Sequence, residues 1–412
     1  MNWRFWSSTV RIGQVPPEEE EPFLHIVCQS FNIDLNLARP YFYDDPYYAH
    51  NQRLALWIEE NGRWRMVSVL TAVPLQMWLG ERVVAGVGVA GVATHPLYRR
   101  RGYAGQLLQG AIRIFADQAV PMAVLQAFEP NFYRRHGWET VGTLTRLRIE
   151  PSRLTPYPIE GVRRAEVSDY AAMVALHQQV VPVRTGMLVR HSLRWDYLLW
   201  NFRNKWVYVA DNQVEGYLVH DFLEGGWVLR VRELVWRTER ARQALLGWLA
   251  RNIDNVRHIE FAGTLPELYA LGIVPLSQQR SQSDEPLMRY EVGAGFMARP
   301  ILPLPLVQSL LDQRPVPNGF VPFGLTVSDK VRRFTETLWF TESAGQLRVV
   351  ADAGAGVQVR IPLEVLAQMV FGTLPATEIC WRRRIALPET IASVLDTLFP
   401  AREPCLRPMD SF

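Results

Sequence analysis

The sequence of 412 residues predicts a mixed α+β protein in which two related domains precede a third one. Three observations support this fold class. In the first hundred residues, apolar strands joined by tight turns surround one early helix. From about residue 162 the same order of strands, helix and strand returns with little sequence likeness, as in a decayed internal duplication. Near Met288 a third block begins, in which strands are followed by helices.

The first predicted domain covers residues 1–145 and begins as an antiparallel meander. Tight turns at Asn61–Gly62 and Gly80–Glu81 join consecutive strands. After the meander come an amphipathic helix and a short apolar strand. The predicted strands are 9–12, 54–60, 64–78, 83–94 and 122–127, and the predicted helices are 18–31 and 106–117.

The second predicted domain covers residues 146–287 and repeats this order. Its predicted strands are 206–210, 214–222, 227–235 and 258–262, with a helix at 239–252. The turn before that helix reads RTERARQ, residues 237–243, and contains no glycine. Without glycine the backbone cannot approach a bulky anion closely. We therefore expect the second domain not to bind the ligand of the first.

The third predicted domain covers residues 288–412. It contains a β-rich stretch at 323–361 and helices at 363–371 and 388–398. The chain then ends in an irregular segment, PAREPCLRPMDSF. Segments of this kind are expected to fray.

Composition and charge exclude several classes of protein. Apolar residues make up 48% of the chain, which is enough for buried cores, and a net charge of +3 does not indicate nucleic-acid binding. The apolar run at 83–94 is far shorter than the roughly 20 residues of a membrane span, and no signal segment is recognisable. Cys28, Cys380 and Cys405 are too widely spaced for a disulfide framework or a zinc site. We expect a cytoplasmic protein with no metal, no nucleic-acid partner and no membrane association.

The segment YRRRGYAG, residues 98–105, places three arginines before an amphipathic helix. A helix N-terminus is partly positive, so cations are unfavourable there unless an anion is bound. Arg99, Gly102 and Ala104 match the pattern [QR]-x-x-G-x-[GA], in which a turn presents backbone N–H groups to a pyrophosphate. The alternative is an ordinary turn with surface arginines. The strand before the turn and the helix after it favour the anion site.

The order of strand, arginine turn, helix, strand and FYRRHGW resembles the GCN5-related N-acetyltransferase (GNAT) superfamily. The turn VATHPLYRRRG, the three-part plan and a C-terminal phenylalanine, Phe412, resemble more closely the enhanced intracellular survival (Eis-type) acetyltransferases. This resemblance implies two GNAT-like domains, the second degenerate, and a sterol-carrier-like third domain. It implies acetyl-CoA as co-substrate and a homo-oligomer, in this family a hexamer.

The resemblance also assigns residues to acetyl-CoA. The backbone of one strand end would bind the pantetheine arm, the arginine turn would hold the pyrophosphate, and the next strand would flank the arm. In that order these residues are Val92, Ala93 and Thr94; Arg100, Arg101, Gly102, Tyr103, Ala104 and Gly105; Phe128 and Glu129.

Two catalytic roles follow from the same resemblance. Tyr133, in FYRRHGW, would be the general acid toward the CoA sulfur, although it could instead be a core aromatic beside Phe132 and Trp138. The α-carboxylate of Phe412 would be the base. A carboxylate near pKa 3.5 is mismatched with an ammonium by about six units, or roughly 9 kcal/mol, and crowded ammonium groups in a polyamine reduce that gap.

The leading hypothesis is an acetyl-CoA-dependent N-acetyltransferase for a primary amine, aminoglycoside-like by resemblance. Asp44, Asp45 and Asp410 are candidates to hold the remaining cations of such an acceptor. The alternative hypothesis is a non-catalytic lipid or small-molecule binding protein on the same scaffold. Retention of Gly102, Ala104 and Tyr133 in the first domain weighs against it.

Overall fold

The computed structural model describes residues 4–6, 9–43, 50–252, 254–273, 289–352 and 356–412. The strands are β1 Arg4–Trp6, β2 Val10–Gln14, β3 Arg53–Glu60, β4 Arg63–Leu79, β5 Arg82–Thr94, β6 Met122–Leu125, β7 Glu139–Ile149, β8 Val162–Arg164, β9 Asn204–Ala210, β10 Gln213–Leu223, β11 Val228–Trp236, β12 His258–Gly263, β13 Arg289–Pro300, β14 Phe323–Asp329, β15 Phe334–Ser343, β16 Gln346–Val350 and β17 Val357–Pro362. The helices are α1 Glu20–Phe31, α2 Leu35–Tyr43, α3 Tyr103–Asp117, α4 Pro130–Arg134, α5 Tyr170–Val180, α6 Ser192–Asn201, α7 Glu239–Ala250, α8 Leu265–Ala270, α9 Pro303–Leu311, α10 Leu363–Phe371, α11 Ala376–Arg382 and α12 Glu389–Leu398.

Thirteen of the described strands form one sheet in the order β1-β2-β3-β4-β5-β6-β13-β7-β12-β11-β10-β9-β8. Neighbouring strands are antiparallel except for two pairs, β5 with β6 and β11 with β12. Each parallel pair is short: β5 and β6 pair only at Val87–Ala123 and Gly88–Val124. The two pairs lie at corresponding places in the two halves of the sheet, which fits the predicted duplication.

The middle of the sheet joins the domains. Strand β7 pairs with β12 of the second domain, from Ile149–Ile259 to Thr145–Gly263. Strand β13 inserts between β6 and β7. The predicted third domain, from residue 288, therefore contributes its first strand to the large sheet, because β13 finds its backbone partners there. The sequence could not show this pairing, which is long-range.

Helix α3 covers one face of the first domain. Leu107, Leu108, Ala111, Ile112 and Phe115 are all buried, as their helical spacing predicts. They pack against strands β2 to β6 in one apolar cluster. Full burial of a side chain of this size contributes about 1.5–3 kcal/mol, so this face fixes the position of the helix. The arginine turn at its N-terminus is held in place by that packing.

The remaining strands form a four-stranded sheet in the order β16-β15-β14-β17. Its Phe323 and Phe340 stack at 4.6 Å between ring centroids and share a core with α9, α10 and α12. The same core includes Met77 and Val84 of the first domain, so the third region packs directly on the large sheet. The sterol-carrier likeness of this region stays a prediction.

The C-terminal segment is packed, and the expectation that it frays is wrong. Cys405, Leu406, Met409 and Asp410 are buried. Backbone hydrogen bonds from Arg402 N to Gly372 O at 2.7 Å and from Cys405 N to Thr185 O at 3.0 Å fix its path. Partners elsewhere in the chain therefore outweigh the entropy that would otherwise favour fraying.

None of the helices in the described ranges is long and apolar enough to cross a membrane.

Candidate active site

The arginine turn ends in an open helix N-terminus. Helix α3 begins at Tyr103 after Gly102, whose φ of 81° is left-handed and whose position supplies no side-chain cap. Arg100 is also left-handed, with φ 60°. The first N–H groups of a helix have no partner within it, so those of Tyr103, Ala104 and Gly105 can bind an external acceptor. Left-handed residues in such a turn form a concave site for anions.

The arginines of the turn carry charge that the protein does not neutralise. Arg100 and Arg101 are exposed, and neither has a carboxylate partner among the residues that the structure describes. Arg101 lies 5.3 Å from the ring of Tyr98, and Arg99 donates from Nε to the carbonyl of Thr94. Two unpaired cations at a positive helix end indicate a site for an anion.

Strand β5 carries a bulge just before this turn. The register with β4 shifts so that Gly91 and Val92 together face Leu70, and Gly91 has φ 58°. Val92 is half-buried and Ala93 is buried. The carbonyl of Thr94 already accepts hydrogen bonds from Ser30 Oγ and Arg99 Nε, both at 3.2 Å. Of the predicted pantetheine contacts, the Thr94 carbonyl is thus engaged by the protein itself.

The segment after β6, which contains Phe128 and Glu129, lies across the gap from the end of β5. Phe128 is 80% exposed. Glu129 caps helix α4, since its Oε1 accepts from the backbone N–H of Asn131 at 3.2 Å. Beyond Gly88 and Val124, strands β5 and β6 separate, so these residues border a gap in the sheet. An extended ligand could pair with backbone there.

Tyr133 lies in α4 and is buried, at 4% exposure. Its ring packs edge-on against Phe132 and Trp138, with ring centroids 5.0 and 6.4 Å apart. Burial raises the pKa of Tyr133 to about 12. The hydroxyl therefore remains protonated at neutral pH. A thiolate in the same buried surroundings is disfavoured for the same reason, because burial penalises both anions.

His136 connects α4 with the start of α3. A Cβ on Gly105 would lie 2.9 Å from the imidazole, so the ring rests directly on the first turn of α3. Burial, followed by the charges of Arg299 and Arg135, lowers the pKa of His136. The sequence left His136 unassigned. Its contact with Gly105 explains in part why a residue without a side chain stands there.

Phe412, at the end of the chain, lies against residues of the first domain that are far from it in sequence. A Cβ on Gly88 would lie 2.6 Å from the Phe412 ring, which places that ring on the last residue of β5 that pairs with β6. Residues 73–76 of β4, Leu188 and Arg194 complete the surrounding pocket. The end of the chain thus meets the first domain where β5 and β6 separate.

Of the three aspartates suggested for the acceptor, two lie outside the described residues, namely Asp44 and Asp45. Asp410 is fully buried and bound to Arg190 at 2.8 Å, so it is unavailable to an acceptor cation. That suggestion was wrong because Arg190, the partner of Asp410, is 220 positions away and no sequence pattern links the two. No group of three or more possible metal ligands occurs in the part of the chain that the structure describes.

Comparison with known proteins identifies two GNAT domains in the chain. A family model described as an acetyltransferase (GNAT) domain matches residues 11–141, and a second model with that description matches residues 186–288. N-acetyltransferase Eis of Mycobacterium tuberculosis (strain ATCC 25177 / H37Ra) is 30% identical over 132 residues, which are 29% of this chain and 32% of that protein. N-acetyltransferase Eis of Mycobacterium bovis (strain ATCC BAA-935 / AF2122/97) matches equally.

The chain is an Eis-like GNAT protein. Its sequence match spans about a third of the length of these curated relatives.

Solved structures share the fold of nearly the whole chain. A GCN5-related N-acetyltransferase from Anabaena variabilis has a TM-score of 0.76 at 17% identity and covers 98% of this chain and 100% of its own. A probable N-acyltransferase from Enterococcus faecalis scores 0.77 at 19% identity with the same coverages. Eis1 from Mycobacterium abscessus scores 0.67 at 15% identity, covering 98% and 100%. At these identities the likeness concerns the fold.

In the second GNAT domain of this Eis-like chain, the turn before α7 corresponds to the arginine turn before α3 but differs from it in its cap. Helix α7 is capped by Thr238, whose side chain accepts from the N–H of Ala241 at 3.3 Å, and Glu239 stands in its first turn. Beside it, where β11 and β12 separate, lies a cavity of about 320 Å³ bordered by Val235, Phe261 and Arg407. The N-terminus of α7 is thus closed by a side chain of the protein itself, which makes it a poorer phosphate site than the uncapped end of α3.

Proposed function

We propose that the chain is an acetyl-CoA-dependent N-acetyltransferase that modifies a primary amine of an aminoglycoside-like polyamine. The observation that carries the proposal is the uncapped N-terminus of α3, with Arg100 and Arg101 unpaired beside it in the described structure. This helix end favours a pyrophosphate. The matches to GNAT domains and to Eis relatives support the same class of reaction.

The first domain would hold acetyl-CoA, which supplies an activated acetyl group as a thioester. The N–H groups of residues 103–105 and the side chains of Arg100 and Arg101 would bind the pyrophosphate. The backbone at 92–94, apart from the Thr94 carbonyl that already accepts from Ser30 and Arg99, and the segment at Phe128–Glu129 would position the pantetheine arm. The separation of β5 and β6 provides room for such an extended group.

Tyr133 would donate a proton to the departing sulfur. With a pKa of about 12 it keeps that proton at neutral pH, which a general acid requires. The α-carboxylate of Phe412 would accept the proton of the attacking amine. Since the carboxylate is intrinsically the weaker base, an acceptor whose crowded ammonium groups depress one another's pKa suits the site.

Turnover tests the proposal. Purified full-length protein with acetyl-CoA and a panel of primary amines should release CoA thiol, and aminoglycosides should be acetylated at an amine. Absence of turnover with every amine, together with co-purification of a fatty ligand, would favour the non-catalytic binding protein instead. The predicted cytoplasmic location and homo-hexamer belong to the same proposal, and sedimentation of the purified protein measures the oligomer.

A C-terminal tag tests the base. A tag after Phe412 replaces the carboxylate with an amide, so acetyl transfer should collapse while acetyl-CoA binding persists. The matched control is the same tag at the N-terminus, which should leave turnover unchanged. Wild-type turnover by the intact C-terminally tagged protein would exclude the terminal carboxylate as base.

A further inference from the structure

A buried ionic cluster of the second domain binds the C-terminal tail at Asp410, two residues before the end of the chain. Arg190 donates to both oxygens of Asp410, at 2.8 and 3.0 Å, and to both oxygens of Glu233, at 3.0 and 2.8 Å. The exposed fractions of these side chains are 3%, 0% and 1% for Arg190, Asp410 and Glu233. One guanidinium thus joins the tail to β11 through two bidentate pairs.

Other second-domain groups hold the backbone of the tail. Arg194 in α6 donates to the carbonyl of Asp410 at 3.3 Å, and Arg232 in β11 donates to the carbonyl of Pro408 at 3.0 Å. Met409 packs in the apolar cluster formed by α5, α6 and strands β9 to β11. The tail is therefore fixed in both position and direction.

The groups that hold the tail are ionised although they are buried. Burial alone would raise the pKa of Glu233, but the charge and hydrogen bonds of Arg190, with His177 and Arg407 nearby, lower it to about 2. Well-packed apolar residues often stabilise a fold as well as buried ion pairs do. What a planar guanidinium adds is a fixed orientation of its partners. A cluster of this kind suits the placement of a chemical group better than it suits stability alone.

Asp410 lies close enough to the C-terminus to restrict the position of Phe412. Two residues span at most about 7 Å, so fixing Asp410 restricts where Phe412 can reach. The Phe412 ring rests on Gly88 of β5, in the first domain. The tail is thus held by one domain and presents its end to the other.

We propose that the second domain is the positioning element for the α-carboxylate of Phe412, with Arg190 and Asp410 as its positioning residues. This inference rests on the proposed function, in which that carboxylate is the base. It gives the degenerate domain a role, since its own helix α7 has a capped end that does not favour a pyrophosphate.

The test uses Asp410→Asn in the full-length protein, which keeps size and shape but removes the charge facing Arg190. The matched control is Asp169→Asn, because Asp169 also accepts a bidentate pair, from Arg163 at 2.7 and 2.8 Å, at the β8 edge of the same domain. We expect Asp410→Asn to lower kcat at least tenfold with KM for acetyl-CoA within twofold of wild type. The control should match wild type in both constants.

Carboxypeptidase digestion reports the position of the tail directly. Release of Phe412, followed by mass spectrometry, should be at least tenfold faster from Asp410→Asn than from wild type or Asp169→Asn. If Asp410→Asn does not fold, Arg190→Lys, which retains the buried positive charge but loses the bidentate geometry, is measured in its place. Equal release and equal kcat in the substituted and wild-type proteins would overturn the proposal.

A one-residue extension, glycine after Phe412, separates this inference from the proposed function. If Asp410 acts through the terminal carboxylate, the extension should lower kcat, and Asp410→Asn should lower it no further in the extended protein. Loss of activity on extension with wild-type activity for Asp410→Asn overturns the positioning role alone. Full activity of the extended protein overturns the terminal base, and the positioning role with it.

Discussion

The N-termini of α3 and α7 occupy corresponding places in two GNAT domains of one chain, yet they differ in chemistry. Gly102 leaves the end of α3 open, whereas the side chain of Thr238 closes the end of α7. Arg100 and Arg101 flank the first without a carboxylate partner among the described residues, whereas Arg242 at the second is paired with Glu239. A few residues at a helix end thus separate the proposed anion site from a closed cap, while the surrounding fold is retained.

The two domains also differ in how they treat the tail. The first receives the Phe412 ring on Gly88, and the second binds Asp410 through Arg190. Duplication thus leaves one copy to hold the co-substrate and the other to hold the end of the chain, in the account proposed above.

The largest effect is expected from Gly102→Asp, which gives α3 a side-chain cap, as Thr238 gives α7, and adds a negative charge. A side chain at φ 81° is strained, and its charge would repel the pyrophosphate. Acetyl-CoA affinity should fall about a thousandfold or more, measured by calorimetry. Gly62→Asp is the matched control, because Gly62 has φ 78° and open space in the β3–β4 turn. Retained affinity in folded Gly102→Asp would remove the turn from the site.

Lowering the pH should reduce the free energy of unfolding through two histidines of the second domain. Burial lowers the pKa of His177 and of His220 from 6.5 to about 4. Between pH 6.5 and about 4 the unfolded chain binds protons that the folded chain does not, so stability falls as pH falls through that window. Each histidine contributes up to about 3 kcal/mol of this loss. Denaturant unfolding against pH measures it, and His177→Gln should flatten the slope.

Glu233 acts in a separate window. Its folded pKa of about 2 lies below the ordinary 4.5, so its stabilising contribution is present above pH 4.5 and is lost as pH falls toward 2. An unchanged slope in His177→Gln between pH 6.5 and about 4 would contradict the histidine assignment.

Tyr133→Phe should lower kcat about a hundredfold with acetyl-CoA affinity preserved, as expected for loss of a general acid. Phe132→Leu is a control for packing, since Phe132 contacts Tyr133 and carries no hydroxyl. With the pKa of Tyr133 at about 12, its ionisation should not limit the rate near neutral pH. A kcat of Tyr133→Phe within twofold of wild type would leave Tyr133 a packing residue only.

The smallest effect is expected at the other helix. Thr238→Ala removes the cap of α7 and should cost about 1 kcal/mol in the free energy of unfolding. Acetyl-CoA affinity should not change, because in the proposed account only the first domain binds the co-substrate. Chemical denaturation and calorimetry on one preparation measure both, and a shift in affinity would show that the two helix ends are not independent.

Sequence reasoning succeeded where the signal is local. The apolar face of α3, the meander of β3 to β5 and the glycine pattern of the arginine turn all depend on neighbours in sequence. The three strands appear where they were predicted, and α3 begins at Tyr103, three residues before its predicted start. The pairing of β13 between β6 and β7 and the burial of the tail were missed. Both depend on distant partners: Arg190 and Asp410 are 220 positions apart.

The catalytic assignments rest on a different footing. Tyr133 and Phe412 came from family resemblance, and the structure adds burial for the first and the contact with Gly88 for the second. Their roles stay predictions. His136 was visible in FYRRHGW, but only its contact with Gly105 links it to the helix end.

The stoichiometry of acetyl-CoA binding tests most directly the claim that one domain binds and the other does not. Titration calorimetry of the full-length protein should give one acetyl-CoA per chain, lost in Gly102→Asp and kept in Thr238→Ala. Two molecules per chain, or one that persists in Gly102→Asp, would contradict the account.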